Sequence, residues 1–340
     1  MWSRKHSDWD SRIIFEMVQI DGVYEPVREA LKLVDHTIEK VAEVEAGFIS
    51  RLLEHVLKGG GKRIRPAITL LAGKFHNYNL DLLVPMAAAV EVLHTATLVH
   101  DDIIDRSRTR RGKVTVSAEW GDARAILLGD YLLAKAADLC AATENCRVIR
   151  LCSQTLMTIS RGELEQSAFT FNLSGAKDQY YRWITAKTAA LFGMAAESGG
   201  ILSGASEAEI AALREYGCNL GMAFQIVDDV LDFAGDEAEM GKPTGEDLRQ
   251  GVVTLPAILY LESNYGDRPA KDIAGIVAKK NERKLRLLTR KVRESPFIKE
   301  CLEIAANYSE LARKSLSVMS DGIAKQSLLK LVEWALERKK

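Results

Sequence analysis

Apolar residues recur at steps of three and four along most of the chain, whereas runs that alternate every second residue are scarce. In residues 26–57, for example, Val27, Leu31 and Val34 begin an apolar stripe on an otherwise charged segment. This spacing predicts an amphipathic helix, or a pair of helices, packed against a core. The segment ends at Gly59-Gly60-Gly61, where a helix is strongly disfavoured. The pattern therefore predicts a chain built almost entirely from helices.

The same periodicity predicts further helices through the rest of the chain. They span residues 67–75, 80–105, 123–142, 148–166, 179–202 and 207–233, with more amphipathic helices from Thr254 onwards. Polar, glycine-containing segments at 109–115 and 235–251 predict loops, and the second has a length usually associated with function. No internal repeat and no linker divides the sequence. We therefore expect one all-α domain over residues 1–340, in which residues 1–24 could form a loose extension.

Composition narrows the function. The chain has 340 residues, of which 47% are hydrophobic and 27% charged, and its formal net charge is -1. A net charge this close to zero argues against a general nucleic-acid-binding protein, whose surface would be basic. The five cysteines form no Cys-x-x-Cys pair and have no histidine at a spacing that suits zinc, so we expect buried thiols in a reducing compartment. Neither a signal-peptide core nor an uncharged apolar run long enough for a membrane span is evident. We expect a cytoplasmic protein.

Two acidic groups of the form Asp-Asp-x-x-Asp interrupt apolar helical segments. The first aspartate group is Asp101, Asp102 and Asp105, and the second aspartate group is Asp228, Asp229 and Asp232. A helix turns by about 100° per residue, so the first and last carboxylates of each group project from nearly one face. Carboxylates in apolar surroundings repel one another and are costly unless cations offset them. Hard oxygen ligands at this spacing suit Mg²⁺, which commonly binds one or two carboxylates together with substrate phosphates.

Other interpretations of these groups are weaker. A single Asp-Asp-x-x-Asp is more often a solvated acidic end of a helix, but two copies, each within an apolar helix, favour a metal site for a polyanion such as a diphosphate. Ca²⁺ would favour an acidic loop with a glycine turn, as in an EF-hand. Zinc would need histidine or cysteine ligands, and only His94 and His100 lie near the first aspartate group. His94 lies two helical turns before Asp101 on the same face, where a lone histidine is more often a core residue.

Cationic and polar residues accompany both aspartate groups. Lys62 and Arg65 lie between a flexible glycine turn and Pro66, which suits the first turn of a helix. Backbone amides at a helix N-terminus favour anions, and lysine and arginine add charge and hydrogen-bond donors. The further candidate phosphate ligands are Arg110, Arg111, Lys187, Thr188, Gln225 and Lys242. Each is ambiguous alone, since a basic turn is often merely solvated, but their convergence indicates a phosphate site.

Seven motifs, taken in order, resemble those of the trans-isoprenyl diphosphate synthases. They are Gly-Gly-Gly-Lys-Arg-Ile-Arg-Pro at 59–66, His94 to Asp105 with Arg110-Arg111-Gly112-Lys113, Gly129 to Leu133, Arg161 to Gln166, Lys187-Thr188-Ala189, Gln225 to Asp232, and Gly241 to Leu248. The resemblance extends from about residue 25 to the end. It implies a single large helical bundle around a deep central cavity, the isoprenoid synthase type, which forms a homodimer. It also implies three Mg²⁺ per site and condensation of isopentenyl diphosphate with an allylic diphosphate such as farnesyl diphosphate.

The resemblance further implies residue roles. The metal ligands are expected to be Asp101, Asp105 and Asp228, with Asp229 and Asp232 in the same metal site and Asp102 supporting them. The allylic diphosphate would be held by Arg110, Lys187, Thr188, Gln225 and Lys242. Isopentenyl diphosphate would be held by Lys62, Arg65, His94 and Arg111. Asp101, Asp102, Asp105, Arg110, Lys187 and Asp228 are the expected catalytic set.

Two features bear on activity and product length. Val252 occupies a position at which the family usually has a lysine that helps to hold the allylic diphosphate. Ala96 and Thr97, one turn before the first aspartate group, are small where short-chain members carry aromatic residues, so the resemblance implies a long all-trans product. Ala96 would then be a point where tyrosine shortens the product. The alternative is that Ala96 is a close-packed helix contact and that a bulky group from the helix at 126–139 forms the floor of the cavity. The product could be handed on through a transient membrane contact.

Three alternative functions remain open at this stage. The chain could be a short-chain synthase that makes farnesyl or geranylgeranyl diphosphate. It could be a catalytically silent regulatory subunit of a heteromeric synthase, although such subunits typically lose one or both aspartate groups. It could be a terpene cyclase, but the second aspartate group does not fit the Asn/Ser/Glu pattern that cyclases usually carry.

Overall fold

The structure is a computed structural model, and it describes residues 21–44, 47–58, 60–168, 175–235, 244–265 and 281–338. The described residues are almost entirely helical, which confirms the predicted all-α class. The helices up to residue 168 are α1 (Asp21–Tyr24), α2 (Arg28–Val41), α3 (Gly47–Leu57), α4 (Ile64–Gly73), α5 (Leu80–Ile104), α6 (Val116–Trp120), α7 (Asp122–Ala141) and α8 (Cys146–Ala168). A short 3₁₀ turn, Glu25–Val27, joins α1 to α2.

The later helices follow the same pattern. They are α9 (Ala176–Ile184), α10 (Ala190–Ser203), α11 (Glu207–Ala234), α12 (Glu246–Gln250), α13 (Leu255–Tyr265), α14 (Glu282–Arg293), α15 (Phe297–Ser315) and α16 (Ile323–Glu337). A π-helical turn, Thr185–Ala189, joins α9 to α10, and a 3₁₀ turn, Leu316–Val318, follows α15.

The described helices form two compact units, and each unit draws on three separate stretches of the chain. The first unit comprises Met1–Cys152, Ala195–Leu213 and Val318–Leu331, and the second comprises Ser153–Met194, Arg214–Ser317 and Val332–Lys340. The expectation of a single domain over the whole chain stays a prediction.

In the first unit, α5 packs against α7, α4 and α2. Glycines permit some of the closest approaches between helices. A Cβ atom on Gly129 would collide with the ring of His100, and one on Gly73 would lie 2.5 Å from Leu83 Cδ1. Apolar side chains such as Leu70 and Met86 are fully buried in this unit. The close packing of α5 against α7 fixes the end of α5, where the first aspartate group lies.

In the second unit, apolar residues of α9, α11, α13 and α15 share one core. Its buried members include Ile184, Ile226 and Ile258. The glycine at 221 lets α11 approach the π-helical turn, because a Cβ atom there would lie 2.7 Å from Ala189 Cα. A neighbouring cluster around Phe233 packs α11 against α12, α13 and α14. This packing positions the second aspartate group on α11.

Several predicted segments differ from the structure in informative ways. The predicted helix at 179–202 contains the π-helical turn, which apolar spacing alone does not reveal. The predicted loop at 109–115 contains a small antiparallel hairpin of β1 (Thr109–Arg110) and β2 (Lys113–Val114), in which Thr109 pairs with Val114. Within the predicted loop at 235–251, residues 246–250 form α12. Of the segment expected as a loose extension, residues 21–24 form α1 and Tyr24 is buried.

One described helix, α5, is long and apolar enough to cross a membrane by length and composition. This is weak evidence, because the central helix of a protein core passes the same test. In this protein, 67% of the apolar part of α5 is buried within the structure. The expected absence of a membrane span stays a prediction.

Candidate active site

The first aspartate group lies at the carboxyl end of α5, where its three members have different surroundings. Asp102 is buried, and its Oδ1 accepts a hydrogen bond from Nε of Arg110 at 2.7 Å and lies 2.7 Å from Nη2 of the same guanidinium. Burial raises the pKa of Asp102, and the guanidinium of Arg110 opposes that rise. Asp101 and Asp105 are half-buried. Asp102 therefore fastens β1 to α5, while the other two carboxylates keep surface that a ligand can reach.

His100 fixes the end of α5 against α7. Its Nε2 lies 3.2 Å from the carbonyl oxygen of Ile126 and 3.6 Å from Oδ1 of Asp130. Only a residue without a side chain at position 129 leaves room for the imidazole. From the sequence alone, His100 is no more than a weak candidate for zinc. The structure makes it a packing residue next to Asp101.

The basic loop before α4 is held by acidic residues of two helices. Arg63 has a left-handed backbone conformation, with φ of 50°. Its Nε donates to Oδ1 of Asp35 and its Nη1 donates to Oε1 of Glu91, both at 2.8 Å. Burial alone would lower the pKa of Arg63, but Glu91 and Asp35 raise it above its ordinary value. Tyr24 adds a further anchor, because its hydroxyl donates to the Lys62 carbonyl at 2.5 Å.

Glu91 is a residue of this region that the sequence argument missed. It is buried in the middle of α5, and it is the only acidic residue between positions 82 and 99. A single carboxylate inside an apolar helical run can be recognised in the sequence, and it indicates a cationic partner. In the structure that partner is Arg63, a residue of the first motif.

Arg65, His94 and Arg111 come together in the first unit. Arg111 Nη1 donates to the carbonyl of Gly60, and a Cβ atom on Gly61 would lie only 3.0 Å from that Nη1. Burial lowers the pKa of Arg65 to about 10, with Glu91 opposing the fall and Arg111 adding to it. Burial, and then the neighbouring guanidiniums, lower the pKa of His94 well below its ordinary value. A neutral imidazole among arginines suits an anionic ligand.

The lowered pKa of His94 predicts a pH dependence of stability. The unfolded chain binds a proton at His94 near pH 6.5, whereas the folded protein binds it only at a much lower pH. The free energy of unfolding should therefore fall as pH decreases below 6.5, by at most about 1.4 kcal/mol per pH unit from this group. Urea unfolding of the wild-type protein and His94→Gln between pH 7.5 and 5 measures the difference. Parallel pH profiles for the two proteins would contradict the prediction.

The second aspartate group lies near the carboxyl end of α11. The carboxylate of Asp229 is buried and accepts hydrogen bonds from the Tyr180 hydroxyl at 2.6 Å and from Gln225 Nε2 at 2.8 Å. Burial raises the pKa of Asp229 to about 7, while these two donors oppose the rise. Asp232 is also buried, and its carboxylate accepts from the backbone amides of Glu246 and Asp247 at 3.2 and 3.3 Å. Asp232 therefore holds the amino end of α12.

The remaining polar candidates on this unit make two sets of contacts. Thr188 lies in the π-helical turn, and its hydroxyl donates to Gln225 Oε1 at 2.7 Å. Lys187 Nζ lies 3.0 Å from Oε1 of Glu163, to which the indole of Trp183 also donates. Single π-helical turns are frequent at functional sites, because they redirect side chains within a helix. Glu163 and Tyr180 are partners that the sequence argument did not assign.

The outermost carboxylate of the second aspartate group is Asp228. Its side chain is 55% exposed, and its Oδ1 accepts a hydrogen bond from Nη1 of Arg338 at 3.0 Å. These two residues are separated by 110 positions, and no motif connects them. Lys242, the remaining predicted phosphate ligand, lies outside the described residues.

Ala96 and Thr97 differ in exposure. Ala96 has no exposed surface, which favours the alternative that it is a close-packed helix contact. Thr97 is half-buried, and its hydroxyl donates to the His94 carbonyl of its own helix at 2.8 Å. Of the two, Thr97 is the residue whose surface a growing product could contact.

The donor set fits Mg²⁺. Each aspartate group offers hard carboxylate oxygens, and Asp228 already attracts a cationic side chain. In the part of the chain that the structure describes, no three carboxylate, imidazole or thiol groups could hold a metal ion by themselves. Mg²⁺ usually keeps several waters and binds substrate phosphates beside one or two carboxylates.

Comparisons with known proteins point to one family. A family model described as polyprenyl synthetase matches residues 47–291. Heptaprenyl diphosphate synthase component 2 of Bacillus subtilis (strain 168) is 33% identical over 331 residues, which cover 97% of this chain and 93% of the relative. Octaprenyl diphosphate synthase of Escherichia coli (strain K12) is 36% identical over 241 residues, which cover 71% of this chain and 75% of the relative.

A solved structure is also similar. The crystal structure of a polyprenyl synthase from Caulobacter crescentus CB15, complexed with calcium and isoprenyl diphosphate, superposes with a TM-score of 0.89. The two chains are 33% identical, and the superposition covers 94% of this chain and 98% of that one.

Proposed function

The chain belongs to the polyprenyl synthetase family and is a prenyltransferase, and we propose that it makes a long-chain all-trans polyprenyl diphosphate. In this reaction it would condense isopentenyl diphosphate with an allylic diphosphate such as farnesyl diphosphate. The fold type implied by the sequence resemblance is confirmed by the superposition on the Caulobacter crescentus structure. That relative was crystallised with calcium and isoprenyl diphosphate, which supports a site for a divalent cation and a diphosphate.

One observation carries the proposal. In both aspartate groups the buried carboxylates are held by protein donors, whereas outer carboxylates keep accessible surface. Asp102 is held by Arg110 and Asp229 by Tyr180 and Gln225, while Asp101 is half-buried and Asp228 is exposed. Metal-assisted diphosphate chemistry needs accessible carboxylates that bind the metal ion, and here each accessible carboxylate lies next to a buried one that is held in place. A solvated acidic helix end would not need this supporting set.

The residues of the chain then have separate tasks. We assign the metal ligands to Asp101, Asp105 and Asp228. When bound, Mg²⁺ would stabilise the negative charge that develops on the departing diphosphate. Lys187 and Thr188 would add cationic and hydroxyl donors to that diphosphate. The number of Mg²⁺ ions, three by family resemblance, belongs to this proposal.

Isopentenyl diphosphate would bind at the arginine-rich region of the first unit. Arg65 and Arg111 supply forked donors suited to phosphate oxygens, and His94 supplies a neutral ring nitrogen among them. Glu91 and Arg63 keep the loop in place, so the cationic groups are already oriented before a ligand arrives. Such preorganisation lowers the cost of ordering side chains on binding.

A second candidate function is supported by the name of one relative. Heptaprenyl diphosphate synthase component 2 is, by its name, one component of its enzyme. This chain could similarly require a second, different subunit. The intact aspartate groups argue that it would then be the catalytic component rather than a silent one.

The expected homodimer is the simpler assembly. Two exposed apolar residues on α7, Ile126 at 46% and Leu127 at 67%, support an interface there.

The test of the proposed function is incubation of the purified chain with Mg²⁺, farnesyl diphosphate and labelled isopentenyl diphosphate, followed by chromatographic sizing of the products. A long-chain polyprenyl diphosphate is the expected result. A product that stops at geranylgeranyl diphosphate would identify a short-chain synthase. Consumption of neither substrate would indicate a silent subunit or a missing partner, and a cyclic hydrocarbon would indicate a terpene cyclase.

Val252 gives a prediction about the allylic diphosphate. Its side chain is half-buried and its backbone N–H donates to the Asp247 carbonyl at 2.8 Å, a bond that a substitution of the side chain leaves intact. A charge-assisted hydrogen bond contributes about 1.5 kcal/mol or more, so Val252→Lys should lower KM for farnesyl diphosphate by roughly tenfold. Val252→Met, which has a similar length and no charge, is the control. Equal KM values for the two variants would rule out a role for this position.

A further inference from the structure

Arg338, the residue that follows α16, is bound beside the exposed member of the second aspartate group. Its Nη1 donates to Asp228 Oδ1 at 3.0 Å. We propose that Arg338 is a positioning residue of the active site, which orients the Asp228 carboxylate so that its second oxygen can bind a divalent cation. The inference rests on the proposed function, because it assumes that Asp228 is a metal ligand.

The guanidinium of Arg338 is fixed by contacts other than Asp228. Its Nη2 donates to the carbonyl of Phe224, and its Cζ lies 3.7 Å from the centroid of the Phe224 ring. That ring in turn stacks on Trp334, with centroids 6.2 Å apart. The arginine side chain is only 4% exposed. A charged group this buried and held from three sides is a fixed support, unlike the mobile arginine of a surface ion pair.

The contact leaves the carboxylate usable by a ligand. Arg338 binds Oδ1, and the Asp228 side chain is 55% exposed, so Oδ2 can be reached from solvent. An aspartate on the surface of a helix otherwise has several rotamers, and holding one oxygen selects among them. The buried carboxylates of Asp229 and Asp232 are already held by protein donors. Arg338 holds the carboxylate of Asp228 in the same way as the donors to Asp229 and Asp232 hold theirs.

Loss of such a support weakens metal binding in other proteins. Carboxylates that bind metals are commonly hydrogen-bonded by outer partners, and removal of a partner typically costs roughly 10- to 100-fold in metal affinity. A guanidinium also repels a nearby divalent cation, which would have the opposite effect. Orientation is favoured here, since the three carboxylates of the group outnumber this single cationic charge and the hydrogen bond from Arg338 is made to Oδ1.

The experiment measures cation binding directly, with Mn²⁺ as the probe and inorganic diphosphate present. Titration of the full chain, monitored by the electron paramagnetic resonance signal of free Mn²⁺, gives the dissociation constant. We expect Arg338→Ala to raise it roughly 10- to 100-fold. Arg338→Lys keeps the charge and one donor and should restore part of the affinity. In steady-state assays, Arg338→Ala should need more Mg²⁺ for half-maximal rate, with a smaller change in kcat at saturating Mg²⁺.

Two further variants separate the possible failures. Arg313→Ala removes a solvent-exposed arginine of α15 that pairs with Glu333, and should bind Mn²⁺ like the wild-type protein. Asp228→Asn should weaken Mn²⁺ binding if Asp228 is a metal ligand; if it does not, the proposed metal site itself is wrong. If Asp228→Asn weakens binding but Arg338→Ala leaves it unchanged or tightens it, the positioning role is wrong and the metal site stands.

Discussion

Asp101→Ala and Asp228→Ala should each lower kcat by roughly 100- to 1,000-fold, the range found when one group that stabilises transition-state charge is removed. Each change removes a carboxylate from the accessible part of its aspartate group. Asp228 is more than half exposed, and Asp101 is half-buried at the end of α5. Neither lies in an apolar core, so the loss should appear mainly in turnover. Asp228→Ala should also lower the thermal stability, because it removes the carboxylate that pairs with the buried guanidinium of Arg338.

Steady-state rates with labelled isopentenyl diphosphate at saturating Mg²⁺, together with thermal unfolding, measure both effects. Asp138→Ala is a matched control, because Asp138 is a carboxylate of α7 with 73% exposure that pairs with Lys135 one turn away. It should leave kcat unchanged. Near-normal turnover in Asp101→Ala or Asp228→Ala, with the fold intact, would end the metal assignment for that residue.

Thr97→Tyr should shorten the main product, which is the second large effect we expect. Thr97 is half-buried one turn before the first aspartate group, and its hydroxyl donates to the His94 carbonyl of its own helix. By resemblance to short-chain members, an aromatic ring here would close the space into which the product grows. Since Thr97 already has some exposed surface, a tyrosine can project from α5 without displacing a packed neighbour.

Ala96→Tyr separates this effect from overpacking. Ala96 has no exposed surface, so a tyrosine there must displace its neighbours, at a cost of about 1–3 kcal/mol or more. We expect Ala96→Tyr to lower the thermal stability, whereas Thr97→Tyr should change product length with little loss of stability. Product chromatography and thermal unfolding of both variants, with Thr97→Ser as the control, test the distinction. A folded Thr97→Tyr enzyme with an unchanged product would show that position 97 does not set the length.

The helices could be predicted from the sequence because apolar spacing reports directly on the face that each segment buries. The boundaries of α5, predicted as 80–105 and observed as Leu80–Ile104, illustrate this. The π-helical turn at Thr185–Ala189 could not be predicted, because it arises from a shift in backbone hydrogen bonds that leaves the apolar pattern unchanged. The hairpin at 109–114 could not be predicted either, since strands of two residues are too short to show an alternation of apolar and polar residues.

The residue types of the candidate site were also readable, but their partners were not. Carboxylates in apolar helices and cations at a glycine turn can be recognised from the sequence pattern alone. Which donor holds which carboxylate depends on packing, as in the pairing of Tyr180 with Asp229 across 49 positions of sequence. Arg338 is the extreme case, because nothing in its sequence surroundings points to Asp228. The candidate metal and phosphate ligands could therefore be predicted from the sequence, whereas the residues that hold them in place are identified only by the structure.

The number of isopentenyl diphosphate molecules consumed per molecule of farnesyl diphosphate tests the proposed long-chain synthesis most directly. The purified chain, supplied with Mg²⁺ and both substrates in separately labelled forms, should consume several isopentenyl units for each primer and release one inorganic diphosphate per condensation. A ratio of one would contradict long-chain synthesis, and a ratio of zero from the chain alone and from the chain with a partner would contradict prenyl transfer itself.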